Sequence, residues 1–426
     1  MIGAHAVKTA EAGNSYQYRD EAGIFEALVS GCFSVYLHGF SAVDYWLNGS
    51  IAADVRLLTN ADIADLARLF EKLRYPGADI GDAALDFENG SCYFTCADSE
   101  KALVQDRPGF ASFSLLEFYF DLKTHRFHDP GGMYPLLRQI RDLRRGCGKG
   151  GKTETDFALN VLRNTLNPGV ERTGVLMDGA LILAKYFPGG SSGGQIEQIA
   201  GLFRGLPPDA PPREEKQRRL LTGLLTGSNP GFGLELLKSG GFIGEYWPEL
   251  AVLDDVDHSK EFHPEGNAWK HTLETFRYRK KAAVYDLRLS LGLLLHDTGK
   301  PIAESAGSRR FDGHAELGAR QARRFLERLG FSAPLVDDVC YLVRNHMLPA
   351  ALPRLPLIRT GEIMASPLFP TLLELYRCDE SSSFKGLDAY YESSAAYQSY
   401  LRNRRNPYRS ADGKKLNQER QFLGKV

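Results

Sequence analysis

Apolar and polar positions follow two different patterns along the chain. Up to about residue 145, short apolar runs with strand-like alternation are interleaved with helical patterns. The runs FSVYLHGF, ADVRLLTN, SCYFTC and FSLLEFYFDL predict strands, and ADIADLARLFEKL predicts a helix. Beyond residue 155, apolar positions recur at helical spacing between Pro and Gly punctuation. The pattern predicts an α+β protein, with an N-terminal mixed sheet and helices followed by segments that are entirely helical.

Four segments follow from this division. They are a mixed α/β head over residues 1–145, a helical segment over 146–250, a second helical segment over 251–400, and a basic polar tail over 401–426. The first boundary coincides with RRGCGKGGKTE (144–154), a Gly- and Lys-rich stretch that is typical of a linker or loop. A tail with few apolar residues buries little surface, so we expect it to be partly disordered.

Composition narrows the class of protein. The chain has 426 residues, of which 43% are hydrophobic and 25% charged, a balance that suits several packed globular domains. The formal net charge is −1, so contact with a polyanion would depend on local basic patches. Six cysteines predict reduced thiols, because Cys92 and Cys96 lie four positions apart but no second pair completes a zinc site. No apolar run is long enough to span a bilayer, so we expect a cytoplasmic protein with no membrane partner.

The second helical segment carries metal-binding side chains at the ends of apolar stripes. A valine stripe over residues 336–343 is continued at helical spacing by His346, and similar stripes lead to His296 and Asp379. A buried carboxylate is costly unless it is paired or bound to a cation. Imidazoles and carboxylates form a mixed shell that suits Mn, Fe, Ni, Co, Zn or Mg. One or two divalent ions are therefore predicted, with the ligands His271, His296, Asp297, His314, His346 and Asp379.

Each of these residues also has an ordinary structural explanation. A single histidine on an apolar face is more often a hydrogen-bonded core residue than a ligand. Asp379 alone could pair with Arg377. Six such residues in helical order nevertheless favour a metal site. The motif HDTGK (296–300) adds support, because Gly299 is expected to end a helix and leave Lys300 beside the metal, where its ammonium could hold a substrate phosphate.

The ligand positions and Lys300 resemble the HD superfamily of metal-dependent phosphohydrolases, and His314 and His346 resemble its two-metal subset. EYWPEL, FHPEGNAWKHT, HDTGKP, FDGHAELGARQARRFLERLGFS and LVRNHM are similar to the HD domain of bacterial tRNA nucleotidyltransferases (CCA-adding enzymes) and related poly(A) polymerases. The resemblance implies hydrolysis of phosphomonoesters, 2′,3′-cyclic phosphates or nucleotides. Asp297 and Lys300 would be the catalytic residues, and Asp297 would bridge two ions.

The head resembles the same family. The stretches YLHGFSAVDYWLNG (36–49) and ADVRLLTNA (53–61) match the family's YLVGGAVRDLLLG and KDIDLATNA without a gap. Gly39, Asp44 and Asp54 are among the matching positions. The resemblance implies a nucleotidyltransferase-like fold for the head.

The departures from the family pattern fall on its chemistry. Phe40 replaces the second glycine of the phosphate-cradling turn, and Arg56 replaces the second carboxylate of the Asp-x-Asp pair. Ser112 stands where a third element has its acid, and strand alternation is expected to put Glu117 on the other face. The nucleotide-selecting element has Leu159 in place of arginine. Because nucleotidyl transfer needs carboxylates that converge on two cations, we predict a degenerate head site.

The primary hypothesis is metal-dependent hydrolysis of phosphoesters of nucleotides or RNA ends, since a bound metal would activate water for attack on phosphorus. Two alternatives stay open. One is an active tRNA nucleotidyltransferase or poly(A) polymerase that adds nucleotides to RNA 3′ ends, and the other is a non-catalytic RNA-binding scaffold. Basic clusters at 138–152, 213–219 and 402–409 could contact tRNA or other RNA through its phosphates, or could be solvated helix faces.

Overall fold

The computed structural model forms two compact units, Met1–Leu137 and Arg138–Val426. The described residues are 21–50, 54–77, 80–87, 90–97, 111–147, 152–190, 194–256, 266–282, 284–305, 311–383, 386–406, 408–410 and 413–415.

The first unit is built on a six-stranded mixed sheet. Its strands are β1 (Val35–His38), β2 (Asp54–Thr59), β3 (Ala83–Phe87), β4 (Gly90–Cys96), β5 (Tyr119–Asp121) and β6 (Arg126–His128). Their order is β3-β4-β2-β1-β5-β6, with β2 and β4 parallel and the other neighbouring pairs antiparallel. The helices that begin in this unit are α1 (Glu21–Ser30), α2 (Phe40–Asn48), α3 (Ile63–Leu69) and α4 (Tyr134–Asp142).

Local sequence explains the turn from β1 into α2 and its link to β2. Gly39 precedes α2 with φ 59° and ψ −136°, a conformation that glycine adopts without strain. The hydroxyl oxygen of Ser41 accepts a hydrogen bond from the backbone N–H of Arg56 at 2.9 Å, which ties α2 to β2. Alternation along β2 buries Val55 and places Asp54 and Arg56 together on the opposite face.

Two predictions for the sheet are wrong in detail. The run FSLLEFYFDL predicted one strand, but Ser114–Leu116 form a 3₁₀ turn and only Tyr119–Asp121 pair with β1. Strand alternation therefore does not decide which way Glu117 points. Strand β3 has no counterpart among the predicted strands, because its sequence AALDF lacks the β-branched residues that mark a strand. Its antiparallel pairing with β4 supplies the order that local propensity does not.

The second unit is helical, and no strand of the sheet lies among its described residues; isolated bridges occur there, such as that between Arg409 and Lys415. Its helices are α5 (Lys152–Thr165), α6 (Arg172–Tyr186), α7 (Gly194–Arg204), α8 (Glu214–Leu225), α9 (Pro230–Ser239), α10 (Phe242–Tyr246), α11 (Pro248–Ala251), α12 (Ala268–Thr275), α13 (Leu287–Leu295), α14 (Lys300–Ser305), α15 (His314–Arg328), α16 (Ala333–Asn345), α17 (Leu348–Ala351), α18 (Leu357–Ala365), α19 (Phe369–Ser381) and α20 (Asp388–Arg405). The predicted α+β fold class, a mixed sheet followed by helices, is confirmed.

The predicted tail and linker differ from the structure at their edges. Helix α20 continues to Arg405, so the first residues of the predicted tail at 401–426 are helical. Tyr397 and Tyr400 are the buried side chains on one side of this helix. The predicted linker at 144–154 overlaps the start of α5. Residues 148–151 of the predicted linker and 416–426 of the predicted tail lie outside the described residues. The finer predicted boundaries at 250 and 400 stay predictions.

Helix α13 forms the centre of the second unit. Leu291, Leu293, Leu294 and Leu295 have no exposed surface, as expected for a helix that is apolar nearly all round. The helix packs against α16 and α19. Its buried C-terminal end therefore delivers His296 and the residues after it to the interior of the helical unit. Among the described helices, none combines the length and apolarity needed to cross a membrane.

Candidate metal centre

The six predicted ligands come together in the second unit. One group of three is His271, His296 and Asp379, and the other is Asp297, His314 and His346. Within each group the ligand atoms lie within 4.8 Å of one another. The six side chains come from α12, the end of α13, the start of α15, the end of α16 and α19. Residues more than 100 positions apart in sequence thus share one buried site, with His271 and Asp379 in hydrogen-bonding contact.

Asp297 lies between the two groups. Its Oδ2 atom is 3.4 Å from Nε2 of His296 and 4.0 Å from Nε2 of His271. Its Oδ1 atom is 3.9 Å from Nε2 of His314. One carboxylate oxygen therefore faces each group, which is the arrangement that a bridging ligand between two cations requires.

Three of the histidines are held through Nδ1 by backbone carbonyl groups three residues earlier. The distances are 2.8 Å from His296 to Leu293, 2.8 Å from His314 to Phe311 and 2.7 Å from His346 to Val343. A carbonyl oxygen can only accept, so each Nδ1 carries a proton. In the neutral ring, Nε2 then presents a lone pair to the centre of the site, which is the form that binds metal.

These lone pairs face one another at short distances. Nε2 of His314 and Nε2 of His346 are 3.1 Å apart. Two lone pairs at this separation repel unless a proton or a cation lies between them. The Nε2 atom of His296 is buried and has no hydrogen-bond partner in the described structure. A buried acceptor without a donor is costly, so the donor set fits a cation better than it fits an ordinary core.

The neighbouring groups keep the two carboxylates of the site deprotonated, which is the form that can bind a metal ion. Burial raises the pKa of Asp297, but the nearby His296, Lys300 and His271 outweigh it and hold this pKa well below its usual range. Burial also opposes the charge of Asp379, whose pKa is lowered by its hydrogen bond with His271.

In the second group, the environment lowers the pKa values of the two histidines. Burial, with the neighbouring His296, lowers the pKa of His346 to about 4. Burial also lowers the pKa of His314. Both rings are therefore neutral near pH 7 and can offer Nε2 as a ligand atom.

Lys300 contacts the site as well. Its ammonium donates a hydrogen bond to Oδ2 of Asp297 at 2.7 Å, and the ring of Phe311 lies 5.8 Å from the ammonium. Phe311 has a left-handed backbone with φ 55°, a strained conformation for a large side chain. Its carbonyl accepts from Nδ1 of His314, so this strained residue helps to position a ligand. The sequence contains no signal for this role, because the contact is made by the backbone.

Two expectations about neighbouring residues are corrected. Gly299 was expected to end the helix, but α13 ends at Leu295. Gly299 is needed for another reason: a Cβ atom there would lie 1.9 Å from the carbonyl oxygen of His314. Arg377 pairs with Glu374 at 2.7 Å, so the described contacts do not support the explanation of Asp379 as a partner of this arginine.

The head brings its predicted site residues onto β1, α2 and β2. Asp54 and Arg56 share a face of β2, and Asp44 is buried in α2. The guanidinium of Arg56 lies 6.0 Å from the ring centroid of Phe40. Two departures from the family pattern thus contact each other as a cation–π pair. The described part of the head contains no group of three metal-binding side chains comparable with those of the second unit.

Parts of the chain are similar to known proteins. Residues 268–368 match the HD domain family, and Asp379 lies beyond the matched residues. The CC-adding tRNA nucleotidyltransferase of Thermus thermophilus is 36% identical over 181 residues, covering 40% of each chain. The Multifunctional CCA protein of Halorhodospira halophila is 34% identical over 141 residues, covering 33% of each. The chain thus spans less than half the length of these relatives.

Among solved structures, the Bacillus stearothermophilus CCA-adding enzyme in complex with CTP aligns with a TM-score of 0.45 and 15% identity, covering 90% of this chain and 82% of that one. The family resemblance predicted from the sequence is confirmed by the domain match and the relatives. The chain contains an HD domain and is related to CCA-adding tRNA nucleotidyltransferases.

Proposed function

We propose that the chain is a metal-dependent phosphohydrolase whose reaction takes place at the two ligand groups of the second unit. The observation that carries the proposal is the pair of Nε2 atoms of His314 and His346 at 3.1 Å, both with Nδ1 committed to backbone carbonyls. Such a pair needs a cation or a proton between its lone pairs. Divalent ions held there would act as Lewis acids and activate water for attack on phosphorus.

The side chains have separate roles in this proposal. Asp297 would serve both groups, because its two oxygen atoms face different histidines. Lys300 is 14% exposed in its side chain and could move its ammonium from Asp297 to a non-bridging phosphate oxygen. The nitrogen-rich shell suits Mn, Fe, Co, Ni or Zn better than Mg. The substrates would be phosphoesters of nucleotides or RNA ends.

A second function is favoured by the relatives. The Thermus protein is named a CC-adding tRNA nucleotidyltransferase, so addition of nucleotides to an RNA 3′ end is a candidate for this chain as well. The names of the relatives favour this function over hydrolysis. The pairing of Arg56 with Phe40 in the head speaks against it, because a guanidinium occupies the position of an expected metal-binding carboxylate.

A phosphoester panel tests the first function. The full-length protein would be assayed with Mn²⁺, Co²⁺, Ni²⁺ and Mg²⁺ on bis-p-nitrophenyl phosphate, 2′,3′-cyclic AMP and AMP. We expect hydrolysis that requires metal and falls by at least about 100-fold in Asp297→Asn, since that residue serves both ligand groups. Asp337→Asn, an exposed carboxylate paired with Arg323, is the matched control and should keep full activity. Absence of hydrolysis with every metal and substrate would refute the proposal.

A further inference from the structure

The four histidines of the metal centre are not anchored in the same way. Three of them donate Nδ1–H to a backbone carbonyl three residues earlier. No substitution of a side chain removes these acceptors. His271 differs, because its Nδ1 lies 3.3 Å from the hydroxyl oxygen of Ser382. The orientation of this one ligand therefore depends on the identity of another residue.

The hydroxyl proton of Ser382 is already used in a hydrogen bond. The hydroxyl donates to the backbone carbonyl of Asp379 at 2.6 Å, and the side chain is buried at the end of α19. With its proton used in this bond, the hydroxyl oxygen is an acceptor for His271. A single buried hydroxyl thus connects two ligands of the first metal group, His271 through Nδ1 and Asp379 through its backbone.

We propose that Ser382 is a positioning residue of the metal centre, which fixes His271 in the tautomer that binds metal through Nε2. The inference rests on the metal site of the proposed function. Without this hydroxyl, Nδ1–H of His271 would lose its described acceptor. Nε2 of His271 lies 2.9 Å from Oδ1 of Asp379 and shares a proton with that carboxylate when no cation is bound, so without the Ser382 acceptor the ring would keep its proton on Nε2. That hydrogen bond would occupy two ligand atoms at once and compete with the cation.

The same helix end supplies a matched control. Ser381 precedes Ser382 and donates its hydroxyl to the carbonyl of Arg377 at 2.6 Å. It makes the same kind of helix-end bond, but the described structure gives it no bond to a metal-site residue. Substitution of each serine by alanine removes one local hydroxyl-to-carbonyl bond. Only Ser382→Ala also removes the acceptor of His271, so a difference between the two variants reports the positioning role.

The test is a Co²⁺ titration of the metal-free full-length protein, followed by visible absorption, on wild type, Ser381→Ala and Ser382→Ala. We expect the Co²⁺ affinity of Ser382→Ala to fall roughly 10- to 100-fold and that of Ser381→Ala to match wild type. A second readout is nitrogen NMR of the Zn²⁺-loaded, histidine-labelled protein. The Nδ1–H signal of His271, assigned by its loss in His271→Gln, should persist in Ser381→Ala and disappear or shift in Ser382→Ala.

The outcomes separate the two proposals. A wild-type protein that binds no Co²⁺ removes the metal site and with it the proposed function. Equal Co²⁺ affinity in Ser382→Ala and wild type, with an unchanged His271 signal, overturns the positioning role and leaves the function intact. If Ser382→Ala does not fold, Ser382→Thr decides, because it keeps the hydroxyl. We expect its affinity within about threefold of wild type, and a loss as large as 10-fold would overturn the inference.

Discussion

In the proposed function, Lys300 would oppose metal binding and still support the reaction. Its ammonium lies 2.7 Å from Oδ2 of Asp297, the oxygen atom that also faces His271 and His296. An ammonium at this position competes with a cation for the carboxylate. The same charge would stabilise a phosphate that approaches the site. The two effects have opposite signs and can be separated by substitution.

We therefore expect Lys300→Met to bind Co²⁺ as tightly as wild type or more tightly, because a competing positive charge is gone. Hydrolysis of 2′,3′-cyclic AMP should fall roughly 10- to 100-fold in kcat/KM, the cost of one charge-assisted hydrogen bond. Cobalt titration and steady-state kinetics measure the two effects. Lys270→Met, a substitution on the exposed side of α12, is the control. Loss of metal affinity in Lys300→Met would contradict the assignment of Lys300 to the substrate.

At the scale of single residues, the sequence predicted the six side chains that the structure brings together, but not the groups that orient them. His346 and Asp379 could be found because each continues an apolar stripe at helical spacing, where a polar side chain needs a partner. The Nδ1 anchors could not be found, since carbonyl groups have no residue identity. Ser382 had one usable signal: it is a short polar residue one turn after Asp379. Its position in the sequence places Ser382 near the site, but does not predict its contact with His271.

At the scale of helices and turns, Gly299 holds the HDTGK turn against α15. A Cβ atom there would lie 1.9 Å from the carbonyl oxygen of His314 and 2.5 Å from the backbone nitrogen of Gly318. We expect Gly299→Ala to lower the free energy of unfolding by roughly 3 kcal/mol, because backbone atoms cannot yield as a flexible side chain can. Its Co²⁺ affinity should also fall, since His314 must move. Urea unfolding and cobalt titration measure both changes.

Gly244 in α10 is the matched control for this substitution. A Cβ atom at Gly244 meets nothing within 4 Å. Alanine there should leave stability unchanged or raise it by about 0.5–1 kcal/mol, as expected for a helical glycine without a positive φ. Equal stability of Gly299→Ala and Gly244→Ala would show that the turn and α15 can separate without cost.

The turn between β5 and β6 is held by Asp121. Its Oδ1 accepts hydrogen bonds from the backbone N–H groups of Lys123 and Thr124 at 2.8 and 3.1 Å, and its Oδ2 accepts from the Thr124 hydroxyl at 2.7 Å. Burial opposes the charge, but these hydrogen bonds outweigh it and lower the pKa of Asp121. The lowered pKa means that its stabilisation is present above about pH 4 and is lost as pH falls through the folded-state pKa.

Asp121→Ala should therefore lower the free energy of unfolding of the first unit by about 1–3 kcal/mol at pH 7. The difference from wild type should narrow as pH falls below about 4, where wild type loses the charged acceptor. Urea unfolding at several pH values measures this dependence. Lys123→Ala keeps its backbone N–H and should behave as wild type. A difference that widens at low pH would contradict the assignment of the carboxylate as the acceptor.

Elements with strong periodicity could be predicted and those stabilised by tertiary pairing could not. Helix α13 is apolar nearly all round and is buried in its unit, as its composition predicts. Strand β3 depends on β4 for its order, and the stretch before β5 turns into Ser114–Leu116 in spite of its strand-like composition. Local propensity is a weak guide wherever neighbouring segments supply most of the hydrogen bonds.

At the scale of the whole molecule, the two units differ in how their described residues place metal-binding side chains. The second unit brings six metal-binding side chains together. The head retains the β1–α2–β2 framework, yet Arg56 and Phe40 contact each other on it. The change from strand pattern to helical pattern was visible in the sequence because the two periodicities differ. The contact between Arg56 and Phe40 was not, since they are 16 residues apart and on different elements.

This contrast predicts that the two candidate activities separate by unit. Hydrolysis of 2′,3′-cyclic AMP should be lost in Asp297→Asn and unchanged in Asp54→Asn, because Asp54 belongs to the head. Incorporation of labelled CTP or ATP into tRNA that lacks its 3′ end should be absent in wild type and in both variants, since Arg56 repels the cations that transfer requires. Incorporation by wild type that is lost in Asp54→Asn and kept in Asp297→Asn would establish nucleotidyl transfer as an activity of the head. The metal site of the second unit would then still be judged by its own assay, because its ligands include no residue of the head.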